Sequence, residues 1–280
     1  MSKAEMKTVP QTQDAKSGTP KFGFGQSIKR VEDGRLVTGQ GSYTDDTAEA
    51  GDLVAYVFRS AYAVGKIEAL DVSEAKQAPG VHMIMTAADL DDDVNSMSTH
   101  ILTQPDGSKM PTTKYPLLAT ERVRFVGQPV AFIVADSLAE AKDAAELIEF
   151  EVEEDQDAAA DYRTAMQAGQ PKVHHELASN KAFDWARGDE AKADAAMEAA
   201  VKTVELTIDN NRVISSPMEL RAARAVWDKQ AEKLTLTSNT QGGWGLKKSL
   251  AKDYLKIDPE QVRVVTPDVG GGFGTRAFTY

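Results

Sequence analysis

Two glycine-rich stretches, each following a predicted strand, carry the residues of this chain that are best suited to chemistry. The first is TSNTQGGWGLKK, in which Gln241 stands directly before Gly242. The second is DVGGGFGTR, in which Gly270, Gly271, Gly272 and Gly274 surround Phe273. Backbone N–H groups can approach an anion closely where no Cβ atom intrudes, and an amide side chain adds a further polar contact. Because open sheets bind ligands at strand ends, the pattern predicts an anion or cofactor site, with a pair of surface turns as the alternative.

Familiar nucleotide, metal and hydrolase motifs do not account for these stretches. The sequence contains no P-loop pattern and no G-x-S-x-G, and the dinucleotide fingerprint starting at Gly270 meets Thr275 where its last glycine should stand. The acidic stretch 89–100 has Val94 and His100 at the sixth and twelfth positions of a calcium loop, where glycine and glutamate are required. The run 174–176, His-His-Glu, is interpreted as a surface loop, because adjacent side chains of an extended segment point in opposite directions.

The first predicted folding unit consists of strands and one capped helix. Strand patterns occur at 53–60 and 130–135, and residues 66–86 read as strand, short helix, turn and strand. Ser137 and Glu140 form the pattern of a capping box, and Ile148, Phe150 and Val152 alternate as in a strand. The apolar helix face is predicted to comprise Leu138, Ala141, Ala145 and Ile148.

The second predicted unit follows an acidic, alanine-rich connection that begins at 151–160. Helices are predicted over 188–202 and about 245–255, and strands over 203–208, 233–239 and 261–266. This unit shows no closing element, so we expect it to require further polypeptide and to expose apolar surface toward it.

Composition limits the classes of function. The 280 residues correspond to about two domains, and the net charge of -11 argues against nucleic acid and anionic membrane surfaces. Cysteine is absent, which excludes disulfides, thiol nucleophiles and iron–sulfur clusters held by this chain. No signal-peptide pattern or apolar run of membrane-spanning length occurs, so we expect a cytoplasmic protein with about twenty disordered leading residues.

Four motifs in order resemble the molybdenum-binding large subunit of the xanthine dehydrogenase, aldehyde oxidase and aerobic carbon monoxide dehydrogenase family. They are GFGQSIKRVEDGRLVTGQGSYTDD, VRFVGQPVAFIVADSLAEAKDAAELIEFEVEE, RVISSPMELRAARAVWD and TSNTQ…VRVVTPDVGGGFGTR. The resemblance implies an α+β fold, with an a/b hammerhead domain over 23–155 and the incomplete first part of a molybdopterin-binding α+β domain over 190–280. It leaves residues 1–22 as a disordered segment and 156–189 as a linker.

The resemblance also implies roles for the glycine-rich stretches. The amide of Gln241 would approach an oxo ligand of the molybdenum, and Phe273 and Gly274 would lie beside the metal. Backbone N–H groups of the loop would hydrogen-bond the pterin. The cofactor-binding residues implied in this way are Gln241, Gly242, Gly270, Gly271, Gly272, Phe273, Gly274 and Arg276. Zero cysteine is compatible with this assignment, because dithiolene sulfurs of the cofactor hold the metal.

Departures from the family pattern restrict what the chain can do alone. The glutamate that acts as general base has no counterpart here, and Arg276 and Ala277 stand where xanthine-type members have a lysine and a substrate-binding glutamate. The expected enzyme therefore oxidises an aldehyde, an N-heterocycle or carbon monoxide with water as the oxygen source, and this chain is expected to be inactive alone. A C-terminal half or second molybdenum-binding chain, an FAD-binding medium subunit and a [2Fe–2S] small subunit are the expected partners, and the pterin is expected in its cytosine dinucleotide form. The alternative is a non-catalytic scaffold or assembly protein that retains the hammerhead fold.

Overall fold

The computed structural model describes residues 29–92, 94–96, 101–211 and 213–277. The chain divides into two units, residues 1–41 and 42–280. In the described part of the first unit, one short helix, α1, spans Asp33–Leu36. The disordered segment expected at 1–22 and His100 of the calcium-like stretch lie outside the described residues. Among the residues that are described, no helix is long and apolar enough to cross a membrane.

The second unit begins with two antiparallel three-stranded sheets. Their strands are β1 Val54–Arg59, β2 Gly65–Asp71, β3 Val81–Thr86, β4 Arg122–Val123, β5 Pro129–Ala135 and β6 Glu149–Glu154. One sheet has the order β1-β5-β3 and the other the order β4-β2-β6. The strand predictions for this part of the chain are confirmed. The connection predicted at 151–160 starts later than expected, because Glu151 to Glu154 belong to β6.

Helix α2, Leu138–Glu146, follows β5 and begins at the predicted cap. The hydroxyl of Ser137 accepts a hydrogen bond from the N–H of Glu140 (3.3 Å) and donates one to the Glu140 carboxylate (2.7 Å). The predicted apolar face is wrong at its first member, because Leu138 is 47% exposed whereas Ala144 is fully buried. Leu138 lies about 70° around the helix from the centre of the buried stripe, at 100° per residue, and therefore falls at its margin.

The core of these sheets consists of two apolar clusters of buried residues, which share the partly buried Phe58, Leu70 and Phe150. Buried residues of β3, β5 and α2 pack together, and Phe58 and Phe150 meet edge to face with ring centroids 5.8 Å apart. Ile133 in β5 is completely inaccessible. Burying a side chain of this size stabilises a fold by about 1.5–3 kcal/mol, so this region has its own source of stability.

A third sheet lies in the C-terminal part of the unit. The elements of this part of the chain are α3 Glu190–Glu198, β7 Ala223–Asp228, β8 Lys233–Ser238, α4 Gly243–Ser249, a π-helical turn Leu250–Tyr254, and β9 Val262–Val265. The sheet order is β7-β8-β9, with β7 antiparallel and β9 parallel to β8. The strands predicted at 233–239 and 261–266 and both predicted helices are confirmed, with α3 shorter than expected. Strand β7 was not predicted.

The strand predicted at 203–208 is wrong. No strand forms there, and Val204, Leu206 and Ile208 are 84%, 77% and 76% exposed. The alternation of apolar residues is that of a half-buried strand, but a strand also requires a neighbour to hydrogen-bond with. Within the described residues this segment has no such neighbour.

A segment at 42–52 joins the start of the second unit to its C-terminal sheet. Ser42 and Asp268 exchange two hydrogen bonds of 2.9 Å, one to the Ser42 carbonyl and one to the Asp268 carboxylate. Asp52 accepts from the guanidinium of Arg224 in β7 at 2.6 Å. The 42–52 segment is therefore built into the C-terminal sheet region, although it precedes β1 in the sequence.

Candidate cofactor-binding site

The two glycine-rich stretches leave neighbouring parallel strands at the same edge of the third sheet. Gln241 follows β8 and the loop 270–274 follows β9. The two stretches touch, since a Cβ atom placed on Gly272 would lie 2.5 Å from Cδ of Gln241. The structure therefore brings the predicted amide and the predicted glycine loop together. A side chain at 272 would have to displace the Gln241 amide, so this close approach favours glycine there.

The amide of Gln241 is held at its oxygen and at its backbone. Its Oε1 accepts the backbone N–H of Arg276 at 3.2 Å. Its own backbone N–H donates to the carbonyl of Arg276 at 3.1 Å, and the Thr240 hydroxyl donates to the same carbonyl at 3.3 Å. Because the carbonyl end of the side chain is engaged, the NH2 end is the part left to donate to a ligand.

The glycine loop adopts a left-handed backbone at three positions. The φ angles of Gly271, Phe273 and Gly274 are 108°, 49° and 85°. For a non-glycine residue such as Phe273, this conformation costs about 1–3 kcal/mol of steric strain. Strained residues of this kind concentrate at ligand sites. Its ring covers Gly271 yet remains 72% exposed as a residue.

Four successive backbone donors of the loop are open. The N–H groups of Gly271, Gly272, Phe273 and Gly274 make no hydrogen bond within the described residues. Two neighbouring predicted donors are already used. The Gly270 N–H donates to the Glu219 carboxylate at 2.8 Å, and the Gly242 N–H donates to the Thr240 hydroxyl at 3.2 Å.

Arg276, the last predicted site residue, is buried. Its side chain contacts Glu219, a residue that the sequence analysis did not single out. Its Nη1 lies 2.6 Å from Oε2 of Glu219, and its Nη2 donates to the carbonyls of Glu219 and Leu220. Burial raises the pKa of Glu219, but hydrogen bonds from Asn239, Gly270, Arg276 and Thr44 outweigh it, so the pKa is lower than usual. Glu219 stands in the quoted motif RVISSPMELRAARAVWD, and its being the one carboxylate before Asp228 in that motif was the available signal.

The donors present fit an anionic pterin cofactor. Consecutive open N–H groups with left-handed backbone form the kind of concavity that binds phosphate and other anions, and the Gln241 amide adds a donor beside it. In the part of the chain that is described, no group of three or more His, Asp or Glu side chains is arranged to hold a metal ion. His174 and His175 contact different carboxylates, Glu176 at 3.2 Å and Asp155 at 3.3 Å.

Comparison with known proteins identifies the class to which this fold and site belong. Residues 38–156 match the family model for the aldehyde oxidase and xanthine dehydrogenase a/b hammerhead domain, and residues 173–280 match that for the molybdopterin cofactor-binding domain. The nicotine 6-hydroxylase large subunit of Paenarthrobacter nicotinovorans is 34% identical over 92% of this chain and 30% of its own length. The carbon monoxide dehydrogenase large chain of Afipia carboxidovorans is 31% identical over 92% of this chain and 32% of its own.

The solved structures agree with the sequence relatives. Quinoline 2-oxidoreductase from Pseudomonas putida 86 superimposes with a TM-score of 0.78 and 33% identity, covering 90% of this chain and 31% of that chain. This chain therefore belongs to the molybdenum-binding large-subunit family of xanthine dehydrogenase and aldehyde oxidase and corresponds to its N-terminal portion. It spans about a third of the length of these relatives.

Proposed function

We propose that this chain supplies one wall of the molybdopterin site in a multi-subunit oxidoreductase. The enzyme would oxidise an aldehyde, an N-heterocycle or carbon monoxide, with water as the source of oxygen. The observation that carries the proposal is the contact between Gln241 and the glycine loop, which sets an amide beside four open N–H groups. When bound, the cofactor would supply the metal centre at which the substrate is oxidised and the electrons are received.

The residues of this chain would bind and orient that group. The N–H groups of Gly271, Gly272, Phe273 and Gly274 would hold its oxygens, with Gly242 and Gly270 shaping the two turns. The NH2 of Gln241 would donate to an oxygen that gains negative charge during turnover, which is how fixed donors stabilise a transition state. The exposed ring of Phe273 would exclude water on one side. Arg276 would contribute through its main chain and its buried side chain.

Completion by further polypeptide is the second part of the proposal. Large apolar side chains in the segment 201–220 are each at least 75% exposed, namely Val201, Val204, Leu206, Ile208, Val213, Ile214, Met218 and Leu220. Helix α3 has no buried residue. A soluble monomer rarely exposes so much contiguous apolar surface, so this surface favours a partner segment that covers it. The general base would come from that segment, because a carboxylate must reach the reacting water.

The remaining partners follow from the same assignment. An FAD-binding medium subunit and a [2Fe–2S] small subunit would carry electrons away, since a chain without cysteine holds no cluster of its own. The pterin is proposed in its cytosine dinucleotide form, and the complex in the cytoplasm. The chain alone would be inactive.

The test is to express the chain alone and together with the product of the neighbouring gene, and to measure bound molybdenum and dye reduction in both. Aldehydes, N-heterocycles and carbon monoxide are offered as substrates. We expect metal and activity only in the assembled protein. Metal and activity in the isolated chain would contradict the proposal, and a stable assembly that never acquires molybdenum would favour the scaffold alternative.

A glycine variant tests the site itself. Gly272→Ala introduces a Cβ atom 2.5 Å from Cδ of Gln241 and should displace the amide, which would lower the molybdenum content of the assembled protein several-fold. Gly245→Ala is the matched control, since no atom lies within 4 Å of its added Cβ. Equal molybdenum content in the two variants would exclude the contact between Gln241 and Gly272 from the site.

A further inference from the structure

A buried ion pair lies directly behind the glycine loop. The side chains of Arg276 and Glu219 are 2% and 10% exposed, with Nη1 and Oε2 separated by 2.6 Å. The Glu219 carboxylate also accepts the N–H of Gly270 at 2.8 Å and that of Thr44 at 3.4 Å. The Glu219–Arg276 pair therefore ties the loop to two other segments of the chain, 42–52 and the approach to β7.

The main chain of the same arginine fixes Gln241. The backbone N–H of Arg276 donates to Oε1 of Gln241, and its carbonyl accepts from the Gln241 N–H and the Thr240 hydroxyl. A glutamine amide can be turned end for end with little change in shape, so its orientation is decided by hydrogen bonds alone. Here the fixed donor at Arg276 selects the orientation in which oxygen points at the backbone and NH2 is free.

We infer that the Glu219–Arg276 pair is a positioning device that sets the Gln241 amide with its NH2 end as the exposed donor. The role assigned to that donor rests on the proposed function, whereas the positioning stands on the hydrogen bonds of this chain alone. Glu219 and Arg276 are positioning residues, since each acts through Gln241 and the loop. An amide turned the other way would present an acceptor to the ligand in place of a donor.

The pair requires both the charge and the shape of its members. The guanidinium reaches the Glu219 carboxylate with one nitrogen and the carbonyls of Glu219 and Leu220 with the other. Lysine keeps the charge but cannot serve these acceptors with a planar fork. Glutamine at 219 keeps the size but faces Arg276 without a negative charge. Each single change should therefore release the main chain of Arg276 and with it the amide of Gln241.

The experiment follows amide hydrogen exchange and the side-chain NH2 signals of Gln241 by NMR, in the purified 280-residue chain. Wild type is compared with Glu219→Gln and Arg276→Lys. Arg224→Lys is the matched control, because it alters another arginine–carboxylate pair on the same sheet that has no hydrogen bond to either glycine stretch. Ile133 in β5 reports global opening.

We expect the backbone amides of Gln241 and Arg276 to exchange about tenfold faster in Glu219→Gln and Arg276→Lys, with Ile133 and the control unchanged. The Gln241 NH2 signals should move toward those of an exposed glutamine such as Gln230. The inference would be overturned if both variants kept the wild-type exchange rates and chemical shifts. It would also be overturned if the Ile133 amide accelerated as much as those of Gln241 and Arg276, because that pattern marks a loss of global stability alone. Because no cofactor enters this measurement, its result is independent of whether the wild-type assembly acquires molybdenum.

Discussion

The region 53–154 and the region 201–277 are held together in different ways. The first buries two apolar clusters that involve both sheets and α2, and Ile133 in the larger cluster is inaccessible. The second leaves the large apolar side chains of 201–220 in solvent and is joined to its surroundings by buried polar groups, above all Glu219 and Arg276. The first region is stabilised by its own core, whereas the second combines a smaller set of buried apolar residues, Ala251, Tyr254 and Val262, with buried polar contacts and an exposed apolar segment.

The largest loss of stability should follow from breaking the buried Glu219–Arg276 ion pair in the region 201–277. Arg276→Met leaves the Glu219 carboxylate buried without its counter-charge and should lower the free energy of unfolding by about 3–5 kcal/mol. Urea unfolding followed by the fluorescence of the three tryptophans, Trp185, Trp227 and Trp244, would measure it. Arg224→Met is the comparison, because the Arg224 and Asp52 side chains are 22% and 33% exposed, and a pair that water can reach should contribute much less to stability than a buried pair. Equal losses in the two variants would show that burial does not distinguish these pairs.

The next effect concerns the apolar core of the first region. Ile133→Ala removes a fully buried side chain and should cost about 2–5 kcal/mol, measured by urea unfolding followed by circular dichroism. Met83→Ala on the neighbouring strand β3 is the control, since Met83 is 42% exposed. If Met83→Ala lowered the free energy of unfolding as much as Ile133→Ala, burial in the core would not be the main source of stability of this region.

Acid should affect the second region through Glu219. Its pKa is lowered in the folded chain, so its stabilising contribution is fully present above the ordinary pKa of a glutamate and is lost as the pH falls through the lowered value. Glu219→Gln lacks this contribution at every pH. The difference in Tm between wild type and Glu219→Gln should therefore be constant near neutral pH and shrink in acid. A difference that grows in acid would have the wrong sign for a lowered pKa.

The smallest change in stability is expected at the exposed apolar side chains of the segment 201–220. Leu206→Ser changes a side chain that is 77% exposed and should alter the stability of the isolated chain by less than about 0.5 kcal/mol. The same change should weaken association with the partner segment proposed above to cover residues 201–220, measured by co-purification. A loss of stability in the isolated chain comparable to that of Ile133→Ala would show that Leu206 is already covered.

Sequence patterns predicted most of the first region, because its elements are defined by local signals. Ser137 and Glu140 mark the start of α2, and the alternation around Phe150 marks β6. The failures have physical causes. Leu138 lies at the margin of the helix face, and the strand predicted at 203–208 has the correct pattern but no neighbour to pair with among the described residues.

For the candidate site, the sequence named Gln241 and the glycine loop, but it did not predict which other residues contact them. Gln241 and the loop 270–274 were singled out because an amide and free backbone donors at strand ends suit a polar ligand, with a pair of surface turns as the alternative. The roles of Glu219 and of the segment 42–52 were not predictable from local sequence. Their contacts join residues 57 and 226 positions apart, and no short-range pattern records such pairings.

The hydrogen bonds between Ser42 and Asp268 have a consequence for biosynthesis. The two residues are 226 positions apart, so at about 5–20 residues per second the ribosome completes the second partner on the order of 10–45 s after the first. The strands of 54–154 can pair during that interval. The hydrogen bonds between Ser42 and Asp268, however, form only after Asp268 has been synthesised. The contact between Gln241 and the glycine loop therefore forms only after the hammerhead strands have been synthesised, and a nascent chain stalled before the loop would carry a folded hammerhead without it.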